Sequence, residues 1–248
     1  MSRRRFYVTP ELISDSNIVL STEESHHLAR VLRLKTGEEA FVFDGHGREY
    51  RCRVAAIEKT GTQLEIIDEL KDRVESPLRL ILAQALAKGE KFDFIVQKAT
   101  ELGVNTIAPI VTDHTDIKLS EDSSARRLDR WQRISLESLK QCGRRHLVKI
   151  LSPVNLNEFV QSLATSNAIL VMSERGGLPI REAVRDSESD SDLAVIIGPE
   201  GGWSDRELDI FQKRECKLVS LGPRILRTET AAIAAVTLVQ HALGDISK

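Results

Sequence analysis

The sequence predicts an α/β protein: a mainly parallel sheet flanked by helices, preceded by a small β module. Three observations lead there. From residue 78 onward, short aliphatic runs alternate with amphipathic stretches, the signature of repeated strand–helix units. Those runs, in "LRLILAQAL", "NAILVMSE" and "DLAVIIGPE", have continuous aliphatic centres without alternation, as strands buried on both faces do. Ahead of residue 70 the texture differs, with strand-like runs flanking Asp44-Gly45-His46-Gly47, a hairpin signal. A chain of 248 residues, 41% hydrophobic and 29% charged, holds one large or two small globular domains. The expected division is 1–72 and 73–248, in the polar stretch leading to Pro77.

In chain order, "STEESHHLARVLRLKTGE" reads as a helix capped by Ser21 or Thr22, with His27, Leu28, Val31 and Leu32 as its apolar stripe. "EEAFVFDGHGREYRCRVAAIEK" is a two-stranded hairpin, and "TGTQLEIIDEL" adds a third strand after a Thr60-Gly61 turn. The strand "LRLILAQAL" is followed by the helix "KFDFIVQKATELG", and "VNTIAPIVT" by a helix carrying Trp131. "NAILVMSE", "DLAVIIGPE" and "KLVSLGP" are the remaining strands, and "TETAAIAAVTLVQHAL" is the last helix. That helix is apolar on nearly every side, so a core or a second subunit covers it, which points to a homodimer. "DSESDSD" reads as an acidic surface loop.

Composition removes several function classes. The net charge of −2 excludes a globally basic nucleic-acid coat, and 4% aromatics leaves little for base-stacking platforms. Cys52, Cys142 and Cys216 are scattered, and the six histidines have no zinc-like spacing, so isolated buried thiols and no metal are expected. No run reaches transmembrane length and the start lacks a signal-peptide core, from which a cytoplasmic location is expected.

The chemistry is concentrated in three loops that follow aliphatic strands. Gly198-Pro199-Glu200-Gly201-Gly202 leads into Ser204 and Glu207, which have capping-box spacing, so a helix begins right after the glycines. Such a loop either admits a ligand to bare backbone or makes a tight packing turn. "LGPRILRTETAA" repeats this grammar, with Thr228 or Thr230 as the helix cap and Glu229 placed to suit the helix dipole. "VMSERGG" is the third. Loops of this kind meet at the carboxyl edge of open α/β sheets, where ligands bind. Neither a Walker A sequence nor GxGxxG is present, which counts against nucleotide-phosphate and dinucleotide enzymes. Candidate RNA contacts are Arg3, Arg4 and Arg5; His27, Arg30 and Arg33 on one helix face; Lys88 and Lys91; and Arg144.

"IIGPEGGWSDREL" followed by "LGPRILRTETAAIAAVTLVQ" closely resembles the RsmE family of SPOUT methyltransferases. "ALAKGEKFDFIVQKATELGV", "RWQRISLESLKQCGR" and "HHLARVLRLKTGEEAFVFDG" extend the resemblance over essentially the whole chain. It departs at His146-Leu147-Val148, where the family commonly has a proline, at Asp113-His114-Thr115, and at Trp203, where an aliphatic residue is usual. The resemblance implies a PUA-like β-barrel that binds RNA, then a SPOUT-type α/β domain with a C-terminal trefoil knot. It also implies a homodimer that methylates N3 of a uridine in 16S ribosomal RNA of the small subunit, using S-adenosylmethionine. Carried over by position, the cofactor cleft comprises Met172, Ser173, Ile197, Gly198, Glu200, Gly201, Gly202, Leu221, Gly222, Pro223, Ile225 and Leu226. Arg227 is then expected to stabilise negative charge on the uracil, and Glu229 to accept the N3 proton directly or through water. The alternative is that these two residues only brace the loops.

Overall fold

The structure is a computed structural model that describes residues 3–58, 61–72, 74–116, 120–165, 168–185 and 192–246. Lys59 and Thr60 of the expected turn, and all of the acidic loop except Asp192, lie outside the described residues. The chain divides into two compact units. One comprises Met1–Glu75 with Leu136–Leu147, the other Ser76–Ser135 with Val148–Lys248.

The first unit is built on a five-stranded sheet formed by β1 (Arg5–Tyr7), β2 (Asn17–Val19), β3 (Glu39–Phe43), β4 (Glu49–Glu58) and β5 (Gly61–Glu69). The strand order is β1-β3-β4-β5-β2, antiparallel except for the β1–β3 pair. The expected hairpin is β3–β4, closing with Phe43 opposite Glu49. Asp44 shapes its loop, because Oδ1 accepts from the backbone N–H groups of His46 (2.7 Å) and Arg48 (3.0 Å), an Asx-type turn. Phe6, Ile18, Leu28, Val42, Cys52 and Leu64 meet in the core. Burial pushes the Cys52 thiol up to about 12, so it is an inert apolar group. Cys142 and Cys216 are only half-buried, a correction to the expectation of three buried thiols.

The helical stretch after Ser21 departs from its expected form. Ser21 caps α1 (Thr22–His26) through a 3.2 Å hydrogen bond from the Glu24 amide, but the chain then relaxes into a π-type turn over His27–Val31. Leu28 is buried, whereas Val31 is 62% exposed and Leu32 also faces solvent, so the stripe is broken. Arg33 lies beyond the turn at φ +54° and does not share a helical face with Arg30. Both arginines are exposed.

Arg5 and Arg144, expected at an RNA surface, are instead interior. Glu49, 1% exposed, accepts from Arg5 Nε at 2.6 Å and from Arg145 Nε at 2.9 Å. Arg145 continues to Asp72 (2.5 Å), and Arg144 Nε donates to Glu75 at 2.9 Å. The Arg145 hydrogen bond holds the Asp72 carboxyl below the usual carboxylate range. A carboxylate buried to this degree requires paired donors, and two guanidinium groups supply them.

The second unit carries an eight-stranded sheet with entirely parallel pairing. Its elements run β6 (Leu80–Ala85), α2 (Lys91–Glu101), β7 (Thr106–Val111), α3 (Glu121–Cys142), β8 (Lys149–Ile150), β9 (Val154–Asn155), α4 (Leu156–Ser162), β10 (Ala168–Met172), β11 (Leu178–Pro179), α5 (Ile180–Ala183), β12 (Leu193–Ile197), α6 (Asp205–Lys213), β13 (Lys217–Ser220) and α7 (Thr228–Leu243). The sheet order is β11-β13-β10-β12-β6-β7-β8, with β9 also beside β7. Each residue of β12 is buried, as an apolar strand covered on both faces must be. The short helices α4 and α5 carry too little periodicity to be read from sequence. From Leu136 onward, α3 belongs with the first unit, which departs from the expected 73–248 block.

α7 buries Ala232, Ala235, Val236, Val239 and Gln240, while Leu238 on α7 and Phe94 on α2 stay exposed. Among the described residues, no helix is long and apolar enough to cross a membrane.

Candidate functional site

Parallel pairing makes β10, β12 and β13 end on one edge, so the three glycine-bearing loops leave the sheet side by side. They enclose a cavity of about 710 Å³, within the usual size of a small-molecule site. Met172 and Ser173 come from the first loop. Ile197, Gly198, Glu200, Gly201 and Gly202 come from the second, and Leu221, Gly222, Ile225 and Leu226 from the third. All of these were expected. Pro223 was too, but it is exposed and absent from the wall. Lys91, Glu174, Arg224, Arg227, Thr228 and Ala231 also line the cavity. The walls therefore mix apolar and polar surface, with two carboxylates, two guanidinium groups and one ammonium at defined places.

The glycines fit, first, the chain's own tight packing. A Cβ on Gly198 would stand 3.0 Å from the Trp203 ring, and one on Gly201 3.0 Å from the His114 side chain. Gly202 adopts φ +72°, where L side chains are strained, and a Cβ there would meet a Glu174 carboxylate oxygen at 2.5 Å. The loop is thus clamped from behind and its backbone is left bare toward the cavity.

The clamp has named parts. Trp203 is buried edge-on against Phe211, and its Nε1–H donates to the Met172 carbonyl at 2.9 Å, tying the loops after β10 and β12. The expected capping box is present: the Glu207 amide donates to Ser204 Oγ (3.2 Å), and the Ser204 amide donates to Glu207 Oε2 (2.9 Å). Glu207 Oε1 accepts from the Asp113 amide at 2.9 Å, and Asp113 accepts from Ser204 Oγ (2.7 Å) and Arg206 (2.6 Å). His114 Nδ1 lies 3.0 Å from the Gly202 carbonyl and donates to it. Thr228 does not cap α7; its hydroxyl accepts from buried Gln84 (2.9 Å) and donates to the Gly198 carbonyl (2.9 Å). The α7 N-cap position is Arg227, without a side-chain cap.

Glu200 forms an ion pair with Lys91, which removes Lys91 from the freely exposed cations and explains a carboxylate in a glycine loop. Lys88, also expected at RNA, is exposed and pairs with Asp116 at 2.7 Å. Arg227 is exposed on the cavity wall. Glu229 is one residue past Thr228, half-buried and off the wall, and its Oε2 is buried without a hydrogen-bond partner. Arg3 (over the Phe41 ring) and Arg4 (paired with Glu38 at 2.9 Å) are exposed, and His27 packs edge-on against Phe6. Among the described residues, no group of three metal-ligating side chains occurs.

Asp113 gives a pH signature. The Ser204 hydrogen bond and the Arg206 ion pair hold its carboxyl below the usual range. A depressed folded-state pKa stabilises the fold above the unfolded value, about 3.9, and that stabilisation is lost as pH falls through the folded value. Asp113→Asn is therefore expected to melt below wild type at pH 7, with a smaller deficit at about pH 3. Thermal scans at the two pH values check this; an equal deficit at both contradicts it.

A strand-edge cavity at bare glycine backbone marks an α/β enzyme that binds a small organic cofactor. Comparison with known proteins specifies which. The model of an RNA methyltransferase domain matches residues 74–240, and that of an RNA methyltransferase PUA domain matches residues 20–67. The ribosomal RNA small subunit methyltransferase E of Synechocystis is 33% identical, covering 96% of this chain and 78% of that protein. The Aquifex aeolicus protein of the same name is 33% identical over 90% of this chain and 94% of its own length. The crystal structure of the Neisseria gonorrhoeae enzyme bound to S-adenosyl methionine superposes with a TM-score of 0.89 at 32% identity, covering 98% of this chain and 99% of that one. The chain belongs to the ribosomal RNA small subunit methyltransferase E family.

Proposed function

We propose that the chain transfers the methyl group of S-adenosylmethionine to N3 of a uridine in 16S ribosomal RNA of the small subunit. The observation that carries the reading is the three-loop cavity, whose walls suit this cofactor. Bare backbone at Gly198–Gly202 accommodates a flat nucleoside, and Ile197, Leu221, Ile225 and Leu226 give apolar contact. The Glu174 carboxylate on the wall suits a cationic ligand, while the Glu200 carboxylate is taken up by Lys91. The neighbour from Neisseria gonorrhoeae, solved with S-adenosyl methionine, supports the same choice.

The bound sulfonium supplies an electrophilic methyl carbon for in-line displacement, so holding the acceptor in line contributes much of the rate. N3 of uridine carries a proton at neutral pH, and its nucleophilic form is the anion. Arg227, on the wall with its guanidinium exposed, stabilises charge on the flanking uracil oxygens. Glu229 sits off the wall with its Oε2 shut from solvent, so its charge serves the N-terminus of α7, and the N3 proton passes to water in the cavity.

The wider reading is a cytoplasmic homodimer that binds the small subunit, with Arg3, Arg4, His27, Arg30, Arg33 and Lys88 among its RNA contacts. The exposed Leu238 and Phe94 side chains are suited to contact with a second copy. The C-terminal segment ending in α7 is then the threaded part of a trefoil knot. Nucleoside analysis of ribosomal RNA tests the proposal in cells: deletion of the gene is expected to remove N3-methyluridine from 16S RNA, and an unchanged nucleoside profile would overturn it.

A further inference from the structure

Beside the cofactor cavity the second unit carries a basic groove that the proposed chemistry has not used. It has a volume of about 550 Å³ and is lined by Lys88, Arg126, Arg127, Arg130, Glu90 and Asp93 over a Trp131 floor. The spacing i, i+1, i+4 places the three arginines within roughly 100° of arc on α3, so all can face one groove. The floor is rigid. The Trp131 ring packs on Phe92 with centroids 4.3 Å apart, and its Nε1–H donates to Asp93 Oδ1 at 3.1 Å. Arg130 pairs with the other Asp93 oxygen, and Lys88 pairs with Asp116. Arg126 donates only to the backbone carbonyl of Asp122, at 3.2 Å, and Arg127 has no carboxylate partner among the described residues. Two guanidinium groups are thus without an ion pair among the described residues, on the wall of a groove that they share with the Glu90 carboxylate.

The groove lies near the site. A smaller cavity of about 360 Å³ shares Lys88 with it and is lined by Asp113, His114, Asp116, Pro199, Glu200 and Gly201. Pro199, Glu200 and Gly201 in turn line the cofactor cavity, so Lys88 and the glycine loop stand between the groove and that cavity. An RNA strand with one base in the reaction cavity can extend past the loop toward Arg126 and Arg127. Guanidinium forks match its phosphodiester oxygens.

We infer that Arg126 and Arg127 hold the phosphodiester backbone of the substrate RNA next to the methylated nucleotide. The inference rests on the RNA methyltransferase reading and adds to it a binding track on α3. Each phosphate contact on single-stranded RNA contributes about 0.7 to the slope of log affinity against log salt.

The test uses the full chain with small ribosomal subunits from cells that lack it. For Arg126→Gln/Arg127→Gln, the salt slope of subunit binding is expected to fall by about 1.4, and KM for subunits at moderate salt to rise about tenfold. Saturated kcat and S-adenosylmethionine affinity stay within about twofold, because neither arginine lines the cofactor cavity. Arg126→Lys/Arg127→Lys restores most of the slope, which a merely folded-state role for the arginines would not require. Unchanged slope and KM in the glutamine variant would overturn the inference. Should wild type bind subunits without transferring methyl, the enzymatic reading fails, and the slope still decides whether the groove holds RNA.

Discussion

Arg227→Ala is expected to slow methyl transfer by about 10²–10³-fold, the usual effect of deleting one preorganised donor to a developing anion. S-adenosylmethionine binding should stay within about twofold, because the cofactor is itself cationic and the remaining wall is intact. The loss belongs in kcat, since charge appears on the uracil oxygens only as N3 gives up its proton. Arg227→Lys keeps the charge but not the planar fork, so it should fall between the two. Single-turnover kinetics with separate calorimetry of the cofactor check this. Wild-type turnover by the alanine variant would return Arg227 to a bracing role.

Trp203→Ala is expected to have the largest effect on stability. The side chain is 1% exposed, and truncation empties the space between Gly198, Phe211 and the Met172 carbonyl. Core Trp→Ala changes cost about 3–5 kcal/mol, which for a chain of this size lowers the thermal midpoint by on the order of 10 °C. Cofactor affinity should fall with it, since the ring is the backing of the glycine loop. Trp203→Phe refills most of the volume and loses mainly one hydrogen bond, about 1 kcal/mol, so it should recover most of both properties. Calorimetric melting and titration of the three proteins separate these outcomes; an alanine variant as stable as wild type would contradict the clamp.

These two residues show how much the sequence disclosed. The strands were legible because "LAVII" and its counterparts are apolar without alternation, which only two-sided burial explains. The cavity was legible because three such strands end in glycine-bearing loops, and the Ser204–Glu207 box marked where the helix begins. Pairings made across long separations were not legible. Arg5 reads as one of three adjacent arginines, and nothing local distinguishes it from Arg3 and Arg4. Its burial depends on Glu49 and Arg145, brought together only by the fold. Lys91 and Glu200, 109 positions apart, hid the same way, and their pairing is what gives the loop carboxylate a partner. Arg33 was misplaced because its helical spacing ignores the π-type turn that ends the helix at Val31. The α3 helix has one uninterrupted amphipathic pattern, and periodicity does not say which core each turn meets. Trp203, legible only as a departure from its family, is the residue that supports the loop.

Methyl-labelled S-adenosylmethionine, this chain and small ribosomal subunits taken from cells lacking it can be incubated together, and the RNA digested to nucleosides and separated. The label is expected in N3-methyluridine, at one position of the 16S RNA, and to disappear with Arg227→Ala. Label in another nucleoside, or none in the RNA while the cofactor binds, would refute the assignment of the three-loop cavity to uridine N3 methylation.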